Sequence, residues 1–178
     1  VPEAWKNAPD DAAAPLLEGR DASQTEYLNR IMVPTNTLTG DYVPVSDFVS
    51  TANGMIPAGT AAYEKRGIAA DVPQWDFTKC MQCNWCSYVC PHAVIRPFVM
   101  TEEEAEGVPG AVKMKGVKDK KFTIAISALD CTGCGSCANV CPGKKGNKAL
   151  VMKPLETQLE SQKGFDYGRE LAPKADVL

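Results

Sequence analysis

At 178 residues, with 44% hydrophobic and 23% charged side chains, the chain has the make-up of one compact globular domain with arms. A formal charge of −3 and a pI near 5.3 leave no strongly basic stripe, which argues against nucleic acid as the main partner. No apolar run approaches the ~18–20 residues of a membrane span. The opening Val1-Pro2-Glu3-Ala4-Trp5 has neither an initiator Met nor a charged-then-apolar leader, so a cytoplasmic piece of a longer chain is expected.

Residues 1–66 are expected to form an extended arm. Within it, Ser23-Gln24-Thr25-Glu26 has the form of a capping box, and Tyr27, Leu28, Ile31 and Met32 follow at helical spacing. Pro34 is expected to close that helix. The central domain spans 67–155. Gly67 to Val72 leads into a first group of cysteines, as Phe122-Thr123-Ile124-Ala125-Ile126 leads into a second. Phe122, Ile124 and Ile126 alternate as on a half-buried strand. After each group comes another apolar stretch, Ala93-Val94-Ile95 and then Ala149-Leu150-Val151-Met152. The order strand, loop, short helix, strand thus occurs twice, which predicts an α+β fold with an antiparallel sheet and a pseudo-twofold core.

Between the halves lies an insertion, 101–121. Thr101-Glu102-Glu103-Glu104 has the form of a capping box opening a short helix, and Gly107-Val108-Pro109-Gly110 should end it. Val112-Lys113-Met114-Lys115 alternates like an edge strand with lysines outward. Residues 156–178 are expected to be a tail or linker: Leu155 to Glu160 has helical character, and Gly164 and Gly168 should break the chain beyond it.

The eight cysteines are clustered, not scattered. Disulfide frameworks belong to small secreted chains, and cysteines two residues apart are poorly placed to pair, so metal-bound thiolates are the better reading. Cys80, Cys83, Cys86, Cys90 and Pro91 repeat as Cys131, Cys134, Cys137, Cys141 and Pro142, both in the form C-x2-C-x2-C-x3-C-P. Two residues between thiolates let a tight loop wrap three corners of a cubane and turn backbone N–H groups towards its sulfides. In runs of this form the fourth cysteine reaches the other cluster. Two [4Fe–4S] clusters are therefore expected: cluster I on Cys80, Cys83, Cys86 and Cys141, and cluster II on Cys131, Cys134, Cys137 and Cys90. Crossed ligation would bring the cages within electron-hopping reach. The alternative is structural zinc, which uses paired C-x2-C units and not a triplet with a distant fourth before proline.

Around this motif, Trp85 and Tyr88 are expected to shield a cage from water. His92 is read as a helix-end or surface residue, and Lys144 and Lys145 as solvated. No seat for bond-making catalysis is visible.

Flanking residues narrow the picture. Gly59-Thr60-Ala61-Ala62-Tyr63-Glu64-Lys65-Arg66-Gly67-Ile68-Ala69 precedes the first motif, and Cys90-Pro91-His92-Ala93-Val94-Ile95-Arg96-Pro97-Phe98 closes it. With Pro44-Val45-Ser46 and Phe165-Asp166-Tyr167, these resemble the pyruvate:ferredoxin oxidoreductase family, and Glu64-Lys65-Arg66 resembles its EKR signature. The resemblance implies an internal module of a large homodimeric enzyme. Elsewhere in such an enzyme, thiamine diphosphate decarboxylates pyruvate, coenzyme A (CoA) accepts the acetyl group, and a third cluster lies near the thiamine. The two clusters of this chain would then pass electrons to external ferredoxin or flavodoxin. A free-standing ferredoxin-like carrier remains the alternative.

Overall fold

A computed structural model describes residues 16–177 and divides into two units between Glu64 and Lys65. The first fifteen residues of the arm, with Val1 to Trp5, lie outside the described residues.

In the first unit, helix α1 spans Ala22–Tyr27 and is capped by Asp21, whose carboxylate accepts from Gln24 N, ahead of the box expected from Ser23. The helix does not stop at Pro34. A π-helical turn, Leu28–Met32, widens the coil and leads into α2, Val33–Asn36, with Pro34 in its first turn. There the missing proline N–H and the ring are tolerated. Leu28 and Ile31 are buried, as their spacing implies. Gln24 is buried too, its Nε2 donating to Ala58 O at 2.8 Å and its Oε1 accepting from Arg20 N at 2.7 Å. This polar clip ties the helix to the approach of the Glu64-Lys65-Arg66 signature.

In the second unit, β1 is Asp71–Trp75, four residues beyond the start of the expected stretch, and pairs antiparallel with β5, Leu150–Pro154. Pro73 is accommodated because this sheet has two strands and every strand is an edge. The other sheet has the order β2, β4, β3, with β2 at Ile95–Met100, β3 at Val112–Lys113 and β4 at Lys121–Ile126. Each pairing of β1 with β5 and of β2 with β4 joins a strand of one repeat to a strand of the other. Val72, Ile95, Phe122, Ile124, Ile126 and Leu150 form the core between the sheets. Each fully buried aliphatic side chain contributes on the order of 1.5–3 kcal/mol.

β4 departs from the half-buried expectation, for Thr123 and Ala125 are buried as well as Phe122, Ile124 and Ile126. The covering layer is helix α5, Ser161–Glu170, which packs on β4. The segment read as a tail is thus part of the core, and it runs unbroken through Gly164 and Gly168. A Cβ at Gly168 would stand 2.5 Å from the Phe98 ring, so this glycine permits close approach of helix to sheet and breaks nothing. Phe165 is buried beside it, edge-on to Phe98 with Arg96 over its ring.

The insertion keeps its capping box without the helix. Thr101 N donates to Glu104 Oε2 at 2.8 Å and Glu104 N to Thr101 Oγ1 at 3.2 Å, but the chain leaves as turns. Gly107 at φ +80° and Gly110 at φ +83° end it within one turn. Among the described residues no helix is long and apolar enough to cross a membrane.

Candidate metal centre

Both cysteine groups are delivered the same way. A tight 3₁₀ turn, Phe77–Lys79 or Ala128–Asp130, leads off the strand and hands Cys80 or Cys131 to the loop. Asp76 caps the first of these turns. Its carboxyl is drawn down to about 2, chiefly by the Lys79 ammonium and then by Thr78. The stability this gives is present above the ordinary aspartate range and is lost only as the pH falls through about 2.

Within the loops the backbone bends twice into the left-handed region, at Gln82 and Asn84 in the first and at Gly133 and Gly135 in the second, all with φ between 61° and 74°. These bends turn Gln82 N onto Cys80 Sγ at 3.4 Å and Gly133 N onto Cys131 Sγ at 3.4 Å. Helices α3, Trp85–Tyr88, and α4, Ser136–Val140, then carry Cys86 and Cys137 and pack against one another. Cys90 and Cys141 leave their far ends, and Cys141 Sγ accepts from Ala149 N at 3.3 Å.

Asparagine adopts the left-handed conformation readily, but glutamine does not. The Gln82 side chain offsets the strain by bridging to the edge strand of the insertion: Nε2 donates to Lys113 O at 2.9 Å, and Oε1 accepts from Lys115 N at 2.8 Å. Gln82→Ala keeps the strain and loses both bonds, so it should lower stability by about 1–2 kcal/mol. Gln82→Gly loses the bonds but relieves the backbone, and should cost less. Denaturant unfolding checks the order; alanine tolerated better than glycine would contradict it.

Two cavities open between the repeats. The first is lined by Cys80, Cys83, Cys86 and Cys141, with Trp75, Asn84 and Gly143 in its wall. The second is lined by Cys90, Cys131, Cys134 and Cys137, with His92 and Ser136. The two cavities are alike in size, as two copies of one group require. All eight thiols are free. Trp75 Nε1, a donor in the wall of the first cavity, is buried without a partner among the described residues. A sulfur-rich anion suits both the thiols and this donor. The residues fit iron–sulfur cages.

Trp85 and Tyr88 face solvent, 58% and 86% exposed, and neither is part of the first cavity's wall. Trp75, at the end of β1, takes that place. Sequence reasoning misses it because it precedes the motif, although its position at the close of a strand running into Cys80 is a signal. His92 is exposed but borders the second cavity. Lys144 is not simply solvated, since its Nζ donates to Thr78 O at 2.6 Å and its N–H to Lys79 O at 2.9 Å.

Lys65, of the signature, and the residues after it meet the second loop. Lys65 Nζ is paired with Asp130, the residue before Cys131. The Asp130 carboxylate also accepts from the buried Ser127 hydroxyl at 2.6 Å, and Gly67 N donates to Leu129 O at 3.0 Å. A Cβ at Gly133 would lie 3.0 Å from Asp71 O and 3.3 Å from Ala69 Cβ. The segment 65–71 is therefore the back wall of the second cysteine loop.

Burial pushes the Cys86 thiol up to about 12 and Cys137 up to about 11, and raises Cys131. Exposed Cys134 is held below the ordinary thiol range by hydrogen bonds from Ser136. Without metal, the buried thiols keep their protons, which iron must displace. Iron and sulfide uptake by the metal-free chain should therefore keep rising with pH beyond the ordinary thiol range, towards about 11. The same shifts stabilise the metal-free fold below the ordinary thiol range, a contribution lost as the pH rises through about 11 to 12. Uptake followed by visible absorption checks the first sign; a flat profile would contradict it.

Family models match twice. Residues 18–69 fit the EKR family, described as a domain of unknown function, and residues 79–145 fit a 4Fe-4S dicluster domain. The chain is 43% identical over 179 residues to pyruvate-flavodoxin oxidoreductase of Enterobacter agglomerans, covering 99% of this chain and 15% of that protein. It is 47% identical over 160 residues to pyruvate:ferredoxin oxidoreductase of Moorella thermoacetica, covering 87% of this chain and 13% of the other. A NADP-dependent pyruvate dehydrogenase of Euglena gracilis is 44% identical over 146 residues, 80% of this chain and 8% of its own length. The chain thus spans about a seventh of the first two relatives, across both matched regions. With its two cysteine-lined cavities and the signature segment beside them, the chain belongs to the pyruvate:ferredoxin oxidoreductase family, as its EKR region and dicluster ferredoxin-like domain.

Proposed function

We propose that this chain is the electron relay of a 2-oxoacid oxidoreductase, taking electrons from a thiamine diphosphate site elsewhere in a homodimeric parent and delivering them to ferredoxin or flavodoxin. CoA and a third cluster would belong to that remainder, and the setting would be the reducing cytoplasm. When bound, each 4Fe–4S cluster takes up and releases one electron. Cys80, Cys83, Cys86 and Cys141 would hold cluster I; Cys131, Cys134, Cys137 and Cys90 would hold cluster II, in a pseudo-twofold core of residues 67–155.

The observation that carries this reading is that each cavity gathers three cysteines of one repeat and the last cysteine of the other. The chain's own atoms then do three things. Gln82 N, Gly133 N and Ala149 N donate to thiolate sulfur, which stabilises negative charge. Ile124, Ala149 and Leu150 in one wall, and Val94 and Ile95 in the other, exclude water. The packed pair α3 and α4 holds the two cavities together.

The test is anaerobic reconstitution with iron and sulfide counts and redox-titrated EPR. About eight of each per chain, with two one-electron signals, are expected. A colourless, zinc-loaded protein would overturn the reading, because zinc is d10.

A further inference from the structure

The two cavities differ in their surroundings. Three segments meet at the first: Asp76 to Cys86, Val112 to Gly116, and Cys141 to Ala149. They are stitched together by Lys115 Nζ on Met81 O at 3.1 Å, Lys144 N on Lys79 O at 2.9 Å, and the Gln82 bridge to Lys113 and Lys115. These segments carry Lys79, Lys113, Lys115, Lys144, Lys145 and Lys148, all exposed. Their one carboxylate, Asp76, is paired with Lys79 at 2.8 Å. Such a concentration stands out in a chain whose formal charge is −3. Around the second cavity the charges are more evenly mixed: Lys65, Arg66, Arg96 and Lys153 stand against Asp71 and Asp130, and Lys65 is paired with Asp130.

The same segments carry an apolar centre, with Lys115 Nζ on Met81 O, while Lys148 Nζ reaches Ala138 O and Asn139 O at the end of α4. Met81, which lines the first cavity, is 42% exposed, and Trp85 beside it is 58% exposed, with Cys83 at the surface between them. In the second loop the equivalent residues are Thr132 and Ser136, both polar. An apolar spot over a redox site with a charged rim is how transient electron-transfer partners meet: the contact is small, and charge sets the encounter rate more than the affinity.

We propose that the face built by Met81, Trp85 and the surrounding lysines is the docking surface for a small acidic one-electron carrier. Electrons then leave the chain beside Cys83, not beside the second cavity. This rests on the electron-relay reading above and adds to it the exit. One electron leaves the chain, which is oxidised, and enters the carrier, which is reduced; no bond or proton is exchanged.

The test uses the two-cluster chain, reduced with dithionite and mixed in a stopped-flow instrument with a purified acidic flavodoxin. In K113E/K145E, second-order reduction at low salt should fall about tenfold or more, with the difference vanishing at high salt. The double variant K153E/K163E, with the same change in charge away from this face, should stay within about twofold of the parent. Binding is read separately, with both proteins oxidised, by NMR line broadening, which K113E/K145E should also weaken. Each variant's midpoint potentials should match the parent's. Loss in K153E/K163E instead, or in neither variant, overturns the proposal while leaving the relay reading intact. So does a rate loss in K113E/K145E explained by a shifted potential with binding unchanged. A parent chain that never reduces the flavodoxin overturns the relay reading, and the docking proposal with it.

Discussion

Replacing Cys141 with alanine is expected to disable the cage built on Cys80, Cys83 and Cys86, and to spare the one built within its own repeat. If each repeat held its own cluster, the damage would fall on Cys131, Cys134 and Cys137. In the proposed crossed arrangement, Cys141 completes the first cavity's wall, and its Sγ is already oriented there by Ala149 N. A cage on three thiolates readily loses the iron that has no thiolate, so iron content should fall from about eight to about seven on conversion, or to about four on complete loss, with one EPR signal converted or lost. Cys90→Ala is the reciprocal case and should remove the other signal. Because thiolate repulsion is relieved only by iron, the fold around the emptied cavity should also loosen and lower the thermal midpoint. The decisive readout is the pair of variants, by EPR and by a crystal structure of each. A cluster surviving in Cys141→Ala on Cys80, Cys83 and Cys86, with Cys90 as its fourth ligand, would show the assignment to be wrong.

The cysteine spacing was legible because the need it answers is local: a tight loop, three thiolates and a fourth leaving on a helix. Strand β4 was legible from apolar alternation, and β2 and β5 from the apolar stretches after the cysteine groups, to within a few residues. What failed were inferences that treat proline and glycine as breakers wherever they stand. Pro34 sits in the first turn after a π-helical widening, where its missing N–H is tolerated. Gly168 lies inside a helix because Phe98 leaves no room for a Cβ, a fact that belongs to a strand about seventy residues earlier. Separation in sequence also hid the pairing of Lys65 with Asp130 and the covering of β4 by α5. Position within the motif singles out Trp85 as a shield, yet such a position does not say which way a side chain points. One signal in the sequence does reach the loops. Aligning the repeats sets Gln82 and Asn84 against Gly133 and Gly135, so the glycines mark left-handed backbone that both loops share. The difference between the loops then lies less in solvent access than in how each tolerates the same bend.

Gly143→Ala is expected to be among the most damaging single changes in the chain, although it removes no ligand. Gly143 lies two residues after Cys141, at φ +59°, in the turn that Lys144 and Asn147 close by pairing. A Cβ there would stand 1.6 Å from Asn147 O and 2.3 Å from its carbonyl carbon. Both are backbone atoms, so no rotamer change relieves the overlap. The turn must open, which pulls on Ala149, the donor to Cys141 Sγ, and on Lys144, whose N–H and Nζ hold the turn before Cys80. Gly146 provides the control. Its φ is +79°, but nothing lies within 4 Å of a Cβ built on it. Gly146→Ala therefore carries only the left-handed penalty of about 1–2 kcal/mol. Gly143→Ala carries that and the displacement of backbone, in total about 4 kcal/mol or more, at the far end of single-residue effects. Thermal unfolding of the cluster-loaded proteins measures the gap, and EPR locates it: the signal from the first cavity should suffer while the second persists. Equal losses in the two variants would mean that the turn adapts freely and does not hold Cys141 in place.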